Sequence, residues 1–315
     1  MKEGTRHRGT ISYLQRVEID DERWNRAITS SGFALVYAQS WYLDACADQW
    51  AALVLSDYEY VMPVAFRIKL GFKYLYQPRF CQQLGIYSEK QINAQIIALF
   101  LDALGKIFKL GDYAFNEGNL LGAKKGFEIT DNTNFTLHLT PFYKELKQAY
   151  SSNCRRNLQK ASHSRLEFSE DVGIRELVLL KKHHDHKRQA DEHYQDLIDM
   201  FSGMKEAGNV NAYGVKLGPD LCAGAIFASN TKRIHYLLSV STKAGKESSG
   251  MFFVIDRLIQ MHSGKDLYLD FEGSNISSLA RFFEGFGAQA QLYQRIRFNN
   301  ALGKFVQKVI SVRPD

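Results

Sequence analysis

Apolar and polar positions follow two different periods along this chain, and each change of period marks the edge of an element. The second half is the more clearly punctuated. A short strand is predicted over 166–168. Helices are predicted over 171–188 and 190–207, where Val172, Leu177 and Leu180, then Tyr194, Leu197, Ile198 and Phe201, fall at helical spacing. Strands over 210–217, 221–228 and 234–240 follow. The turn residues Gly218-Pro219-Asp220 and Ser229-Asn230 join them as an antiparallel meander. A loop over 241–250 opens a helix through Met251, Val254, Ile255, Leu258 and Ile259. A strand over 267–271, a helix over 276–285 ended by Gly287, and a strand over 291–298 close the pattern.

The first half runs through the same order: strands over 51–55, 60–68 and 74–77, a helix over 91–108, a strand over 113–116, helical residues near 120–126 and a strand over 135–139. The agreement reaches single residues. Tyr113-Ala-Phe-Asn-Glu-Gly-Asn119 stands where Leu269-Asp-Phe-Glu-Gly-Ser-Asn275 stands later, and Lys125-Gly126-Phe127 parallels Glu284-Gly285-Phe286. A repeat this long is one domain duplicated once rather than a solenoid. Pro141, after a strand and before a helix, places the expected boundary between a domain over 1–140 and one over 141–315, the second including a basic helix over 151–162.

A chain of 315 residues is long enough for two such domains. With 45% hydrophobic and 23% charged residues it has the composition of an ordinary globular protein and excludes long disorder. The first ten residues lead into no apolar run, and the apolar stretch near Ile96 to Leu104 is broken by Asp102 and followed by Lys106. Neither a secretory signal nor a membrane span is expected, and the cytoplasm is the expected location. Cys46, Cys81, Cys154 and Cys222 are scattered with no C-x-x-C, which suggests reduced, mostly buried thiols and neither a zinc site nor a disulfide framework. Of His183, His184 and His186, only His183 and His186 share a helical face, and no metal site is expected. The aromatics Trp41, Tyr42, Trp50, Tyr74 and Tyr76 suit a core and a sheet. No basic strand face accompanies them, and no DNA partner is expected.

Charge changes the picture locally. Residues 142–165 hold six cations, Lys144, Lys147, Arg155, Arg156, Lys160 and Arg165, against one acid, Glu145. Arg156 and Lys160 share a helical face with Arg155 beside them, so this face can hold a phosphate, a nucleotide sugar or a tRNA backbone; a solvated helix surface is the other reading.

The element order is that of the GNAT acyltransferase fold. Tyr150-Ser-Ser-Asn-Cys-Arg-Arg-Asn-Leu-Gln-Lys-Ala161 resembles the basic helix of the Fem-like peptidyltransferases, and Asp270-Phe-Glu-Gly-Ser274 followed by Arg281-Phe-Phe-Glu-Gly-Phe-Gly287 resembles their C-terminal signature. The resemblance covers nearly the whole chain and implies two tandem GNAT-like domains of mixed α/β sheet. The implied activity is N-acyl transfer from an acyl-coenzyme A or an aminoacyl-tRNA to an amine acceptor, in cell-envelope or polysaccharide metabolism among other settings. Two departures stand out. The long helical hairpin that some Fem proteins carry, and that some use in engaging tRNA, is missing. Phe283 also stands where the family motif often presents a lysine, which leaves Arg281 as the nearest substitute cation.

Such a transfer needs a neutral amine, an acyl group held beside it, and donors where the carbonyl oxygen gains charge. Asp270 or Glu272 can accept the proton or hold the incoming ammonium, Ser274 can donate a hydrogen bond, and Tyr293 can protonate a leaving group. Asp270, Gly273, Ser274 and Asn275 are equally good strand-exit and helix-capping residues, and Tyr293 an equally good packed tyrosine. The family's pyrophosphate loop falls on Thr242 to Gly250, where Gly245, Lys246, Ser248, Ser249 and Gly250 suit an anion and Glu247 does not. In the first half the matching loop, Pro78 to Ser88, is aromatic and amide-rich, a wall for an acceptor rather than a phosphate cradle. A GNAT-shaped protein that binds an anionic ligand without catalysis is the competing reading.

Overall fold

The computed structural model describes residues 9–69, 71–185, 189–208, 210–273 and 276–299. In chain order these form β1 (Ser12–Gln15), α1 (Asp21–Ser30), α2 (Ser40–Cys46), β2 (Trp50–Leu55), β3 (Tyr60–Lys69), β4 (Phe72–Leu75), α3 (Ala94–Ile107), β5 (Leu110–Ala114) and β6 (Glu128–His138). They continue as α4 (Tyr143–Gln148), α5 (Ser152–His163), β7 (Leu166–Ser169), α6 (Ile174–His184), α7 (Asp191–Glu206), β8 (Val210–Leu217), β9 (Asp220–Ser229) and β10 (Arg233–Ser241). The last are α8 (Lys243–Glu247), α9 (Gly250–His262), β11 (Tyr268–Asp270), α10 (Ser277–Glu284) and β12 (Gln289–Asn299). Among the described residues no helix is long and apolar enough to cross a membrane.

The chain forms two compact units, one of residues up to Asn132 together with those from Leu292, the other of Thr133 to Gln291. A single cut at 140/141 does not reproduce them, because each unit's sheet is closed by a strand from the other half of the chain. In unit 1 the strands run β1-β2-β3-β4-β5-β12, and β12 pairs antiparallel with β5 from Arg295 opposite Ala114 to Asn299 opposite Leu110. In unit 2 the order is β6-β11-β10-β9-β8-β7, and residues 136–138 of β6 pair antiparallel with β11.

In unit 1, β2 is buried along its whole length, which explains its unbroken apolar run. Asn93 starts α3 by accepting from the Gln95 and Ile96 amides, and the helix buries Ile96, Ile97, Phe100, Leu101 and Leu104. Asp20 caps α1 in the same way; this helix buries only Trp24 and Ile28, a stripe one residue wide per turn. The helix expected near 120–126 is absent. Asn119 Oδ1 accepts from the Ile86 amide instead of capping a helix, and the Leu121 amide donates to Gln294 Oε1.

In unit 2 the expected meander is present as β8, β9 and β10, with β7 added at its edge. Alternate residues of β9 carry the two faces. A Cβ on Gly224 would lie 2.9 Å from Leu177 of α6, whereas Ala223 faces Gly245 of α8 and Gly250 at the start of α9. Helices therefore cover both sides of the sheet, and the core of Phe135, Leu137, Phe227, Ile255, Leu258, Leu269, Phe271, Phe283 and Phe286 lies on the α9 side.

Candidate active site

β10 and β11 run parallel for three residues, Arg233 opposite Tyr268, Ile234 opposite Leu269 and His235 opposite Asp270. There β11 stops and β10 continues to Ser241, so the two strands part. β10 also shifts register against β9 between Tyr236 and Leu238. Beyond His235 the edge of β10 that turns away from β9 has no strand partner among the described residues.

Asp270 stands at this fork, fully buried. Its Oδ2 accepts from the Arg233 guanidinium at 2.8 Å and from Asn134 Nδ2 at 3.1 Å, and its Oδ1 accepts from the Glu272 amide at 2.9 Å. Glu272 takes the left-handed conformation, with φ of 55°. Gly273 follows at φ of 36°, and a Cβ there would lie 2.1 Å from the Thr133 carbonyl oxygen. The Asp-Phe-Glu-Gly string is thus a turn anchored on the Asp270 carboxylate and pressed against the middle of β6. Ser274 lies outside the described residues.

Tyr236, which the sequence did not single out, is the first residue of β10 beyond its last pairing with β11. Its ring lies 5.5 Å from that of Phe227 and 6.3 Å from those of Phe271 and Phe283. Burial pushes its hydroxyl up to about 12, with a hydrogen bond to the Ser239 side chain pulling the other way. Phe283 is 3% exposed and stacks on Phe271 at 4.9 Å. The position where the family often carries a lysine is here part of an aromatic core.

The loop over 242–250 folds as α8, and its polar groups bond to one another. Thr242 Oγ1 accepts from the Gly245 amide, the Lys246 and Ser248 amides donate to the Thr242 and Ala244 carbonyls, and the Ser248 hydroxyl donates to Ala244. Gly245 is needed for packing, since a Cβ would lie 2.0 Å from the Cys222 carbonyl oxygen. Ser248, Ser249 and Gly250 are buried, while Lys246 is exposed. Ser249 Oγ donates to Asn157 Oδ1 of α5 at 2.8 Å, which brings the basic helix against the start of α9. Arg155, Arg156 and Lys160 are exposed. None of the six cations over 142–165 lies at ion-pair distance from a carboxylate among the described residues. Arg281 is exposed and bonds its own helix at the Ser277 carbonyl. Tyr293 belongs to unit 1, whereas the other described candidates belong to unit 2. His183 Nδ1 bonds the Leu179 carbonyl oxygen, and His186 lies outside the described residues.

Unit 1 has the matching fork, where β4 and β5 are parallel at Leu75 and Gly111 alone. Here the chain fills it. The Leu84 amide donates to the Ala114 carbonyl, Tyr87 bridges Val61, and the Tyr113 hydroxyl accepts from the Gly85 amide and donates to the Pro63 carbonyl. Gln83, Leu84, Ile86 and Tyr87 are fully buried. The loop expected to wall an acceptor is the packing of this opening.

No protein-family model matches the sequence, and no curated protein matches it. Solved structures do share its architecture. FemX superposes with a TM-score of 0.60 at 11% identity, over 90% of this chain and 96% of that one. The C-terminal domain of a putative lysylphosphatidylglycerol synthetase from Agrobacterium fabrum gives 0.58 at 11%, over 93% and 97%. A tandem GNAT protein from the clavulanic acid biosynthesis pathway gives 0.51 at 9%, over 92% and 99%. The chain has the tandem GNAT fold.

Within the second GNAT unit lies a further polar cluster that sequence reasoning missed. Asp256, on the core side of α9, is 7% exposed, and its carboxylate accepts from the Tyr143 hydroxyl at 2.9 and 3.0 Å and from the Tyr150 hydroxyl at 2.9 Å. The available signal was one carboxylate within the apolar run from Gly250 to His262. Burial pushes Asp256 above the usual carboxylate range, with the two tyrosines, Lys147 and Arg257 pulling it back. Tyr143 also lines an open hollow of about 640 Å³ together with Lys144, Lys147, Gln148 and Arg155.

Two outcomes follow from these bonds. Asp270→Asn leaves the Arg233 guanidinium buried without a counter-charge and should cost about 3–5 kcal/mol in urea unfolding. A loss within about 1 kcal/mol of zero would show that the charge of Asp270 is not structural. The folded protein holds the Asp256 proton more tightly than the unfolded chain. The stability this adds is present below the ordinary Asp value and lost as pH rises through the raised one. Asp256→Asn, which does not titrate, should lack this pH-dependent contribution, so the wild-type urea midpoint should fall relative to that of the variant from about pH 4 upward. Parallel pH profiles would contradict the raised value.

Proposed function

We propose that the protein transfers an acyl or aminoacyl group to an amine at the fork between β10 and β11. The observation that carries this is the contrast between the two forks, since the unit 1 opening is filled by the chain's own residues 83–87 while that of unit 2 leaves the edge of β10 unpaired beside Tyr236. A free strand edge offers backbone N–H groups to an extended donor and to the oxygen that gains charge when an amine attacks its carbonyl. Tyr236 keeps its proton at neutral pH and can give it to the departing thiolate or alkoxide. Glu272, beside the fork, receives the ammonium or its proton. Asp270 holds the turn, its carboxylate engaged by Arg233, Asn134 and the Glu272 amide. Ser274 is assigned as a hydrogen-bond donor, and Tyr293 as a second proton donor, on sequence grounds.

The donor is an acyl-coenzyme A or an aminoacyl-tRNA. The Gly245, Lys246, Ser248 and Ser249 amides are spent within the turn over 242–250, and the donor's phosphates are assigned to the exposed cations Lys246, Arg155, Arg156 and Lys160, with Arg281 on α10. Similarity in fold to a putative lysylphosphatidylglycerol synthetase and to a tandem GNAT protein supports the transferase class. We place the protein in the cytoplasm, where both donors occur. The burial of Phe283 favours a second reading, an anion-binding protein without turnover, because a cation beside the reacting groups has been replaced by core.

Purified protein should yield amide product from a labelled aminoacyl-tRNA or acyl-coenzyme A supplied with amine acceptors. Tyr236→Phe should lower kcat by roughly 100-fold or more with an unchanged melting temperature. Full turnover in this variant would remove the fork from the mechanism. Binding of either donor by calorimetry, with no product from any acceptor, would support the second reading. A tRNA donor should lose affinity steeply with added salt, and coenzyme A should lose it only weakly.

A further inference from the structure

Two of the four cysteines, 35 residues apart in the chain, bring their Sγ atoms to 3.2 Å in unit 1. Cys46 is the last residue of α2 and is half-buried; Cys81 follows the turn Pro78 to Phe80 and is buried. Neither is in a disulfide. Their approach is fixed from several sides. Tyr42, four residues before Cys46 in α2, donates its hydroxyl to the Phe80 carbonyl at 2.6 Å, so the helix grips the turn immediately before Cys81. Phe80 is held in the left-handed region at φ of 59°, a conformation that a bulky residue adopts only under restraint. The Cys81 amide donates to the Pro78 carbonyl, and Gln77 Nε2 donates to the Cys81 carbonyl at 2.6 Å.

The other two thiols are placed differently. Cys154 is buried beside Asp256, and burial pushes it up to about 12. Cys222 is buried and donates to the Val215 carbonyl. Neither shares a hydrogen bond with another thiol among the described residues. Only the first pair combines an accessible thiol with a second sulfur behind it.

We propose that Cys46 and Cys81 form a reversible disulfide by exchange with a low-molecular-weight disulfide. The Cys46 thiolate attacks one sulfur of the small disulfide, whose S–S bond breaks and releases one small thiol carrying the Cys46 proton. The Cys81 thiolate then attacks Cys46 Sγ in the mixed disulfide, and the second small thiol leaves with the Cys81 proton. Two protein thiols are oxidised and one small disulfide is reduced to two thiols. The sulfurs need to close by roughly 1.2 Å to reach bonding distance. The product ties α2 to the segment that fills the unit 1 fork, and it closes a 35-residue loop that constrains the unfolded chain.

The experiment equilibrates the full chain with mixtures of oxidised and reduced glutathione, quenches with acid, alkylates under denaturing conditions and maps the peptides. The expected result is a linked Cys46–Cys81 peptide that returns to two free thiols on reduction, with Cys154 and Cys222 alkylated throughout. The oxidised form should melt roughly 5–10 °C higher. Cys46→Ser should abolish both the link and the rise in melting temperature. Cys81→Ser should instead trap a glutathione adduct on Cys46, which identifies Cys46 as the attacking thiol. If either variant fails to fold, the wild-type map still decides. Wild-type protein in which Cys46 carries only glutathione, links to a second chain, or stays alkylated beside an alkylated Cys81 at every ratio would overturn the proposal.

Discussion

Arg233 and Asp270 are both almost completely withdrawn from water, at 8% and 1% side-chain exposure, and their ion pair constrains everything built around the fork of unit 2. Removing two charges from water costs several kcal/mol for each, so the pair persists only where every remaining lone pair and proton is used. Asn134 takes the second site on Oδ2 and the Glu272 amide takes Oδ1, while the Tyr268 ring lies 5.6 Å from the guanidinium. Three strands are thereby tied at one point. β11 ends there, Glu272 is turned into the left-handed region, and Gly273 is pressed to the β6 backbone where no side chain fits. The place at which β10 loses its partner is set by this carboxylate.

The two halves of the chain show what happens when that constraint is absent. Aligning Glu117 with Glu272 puts Phe115 in the place of Asp270, apolar and fully buried. Unit 1 still needs an anchored turn after its strand, and Asn116 provides it by accepting from the Gly118 amide through Oδ1. Asn116 and Asn119 then spend their remaining groups on the Leu84 and Ile86 backbone, which draws the segment over 83–87 into the opening. The same turn logic thus closes one fork and leaves the other open. The Cys46 and Cys81 thiols lie at the entry to the closing segment, so its anchorage is set partly by side-chain amides and partly by sulfur.

Local patterning carried the meander, the long helices and the repeat, because each depends on residues a few positions apart. It carried neither the exchange of closing strands nor the meaning of the candidate residues, since these depend on partners far away in sequence. β6 and β12 have the alternation of ordinary strands wherever they pair. Asp270 is written in the sequence as an acid at a strand end, and its partners Arg233 and Asn134 are 37 and 136 residues distant. Gly245 has the residue type of a phosphate cradle, yet the close approach of the Cys222 carbonyl explains it without a ligand. Helix α1 shows only Trp24 and Ile28 to the core, too narrow a stripe to stand out, although Trp24 is fully buried with its indole N–H bonded to the Ala38 carbonyl.

Phe283 connects the core to the electrostatics. Its ring contacts Phe135, Phe271, Phe282 and Tyr236, and Phe286 links this cluster to Tyr150, which precedes the basic helix. A lysine at 283 would have to leave its charge in this aromatic packing or lose its proton, either at a cost of several kcal/mol. With this position committed to core, an anionic donor of the proposed kind would be attracted from elsewhere, and the six cations over 142–165 are all on the surface. Surface charges act over about a Debye length and weaken with salt, whereas the Tyr236 hydroxyl acts at contact in a desolvated place. Under the proposed transfer, capture and chemistry fall to separate groups, and salt should raise KM for a polyanionic donor while leaving kcat nearly unchanged.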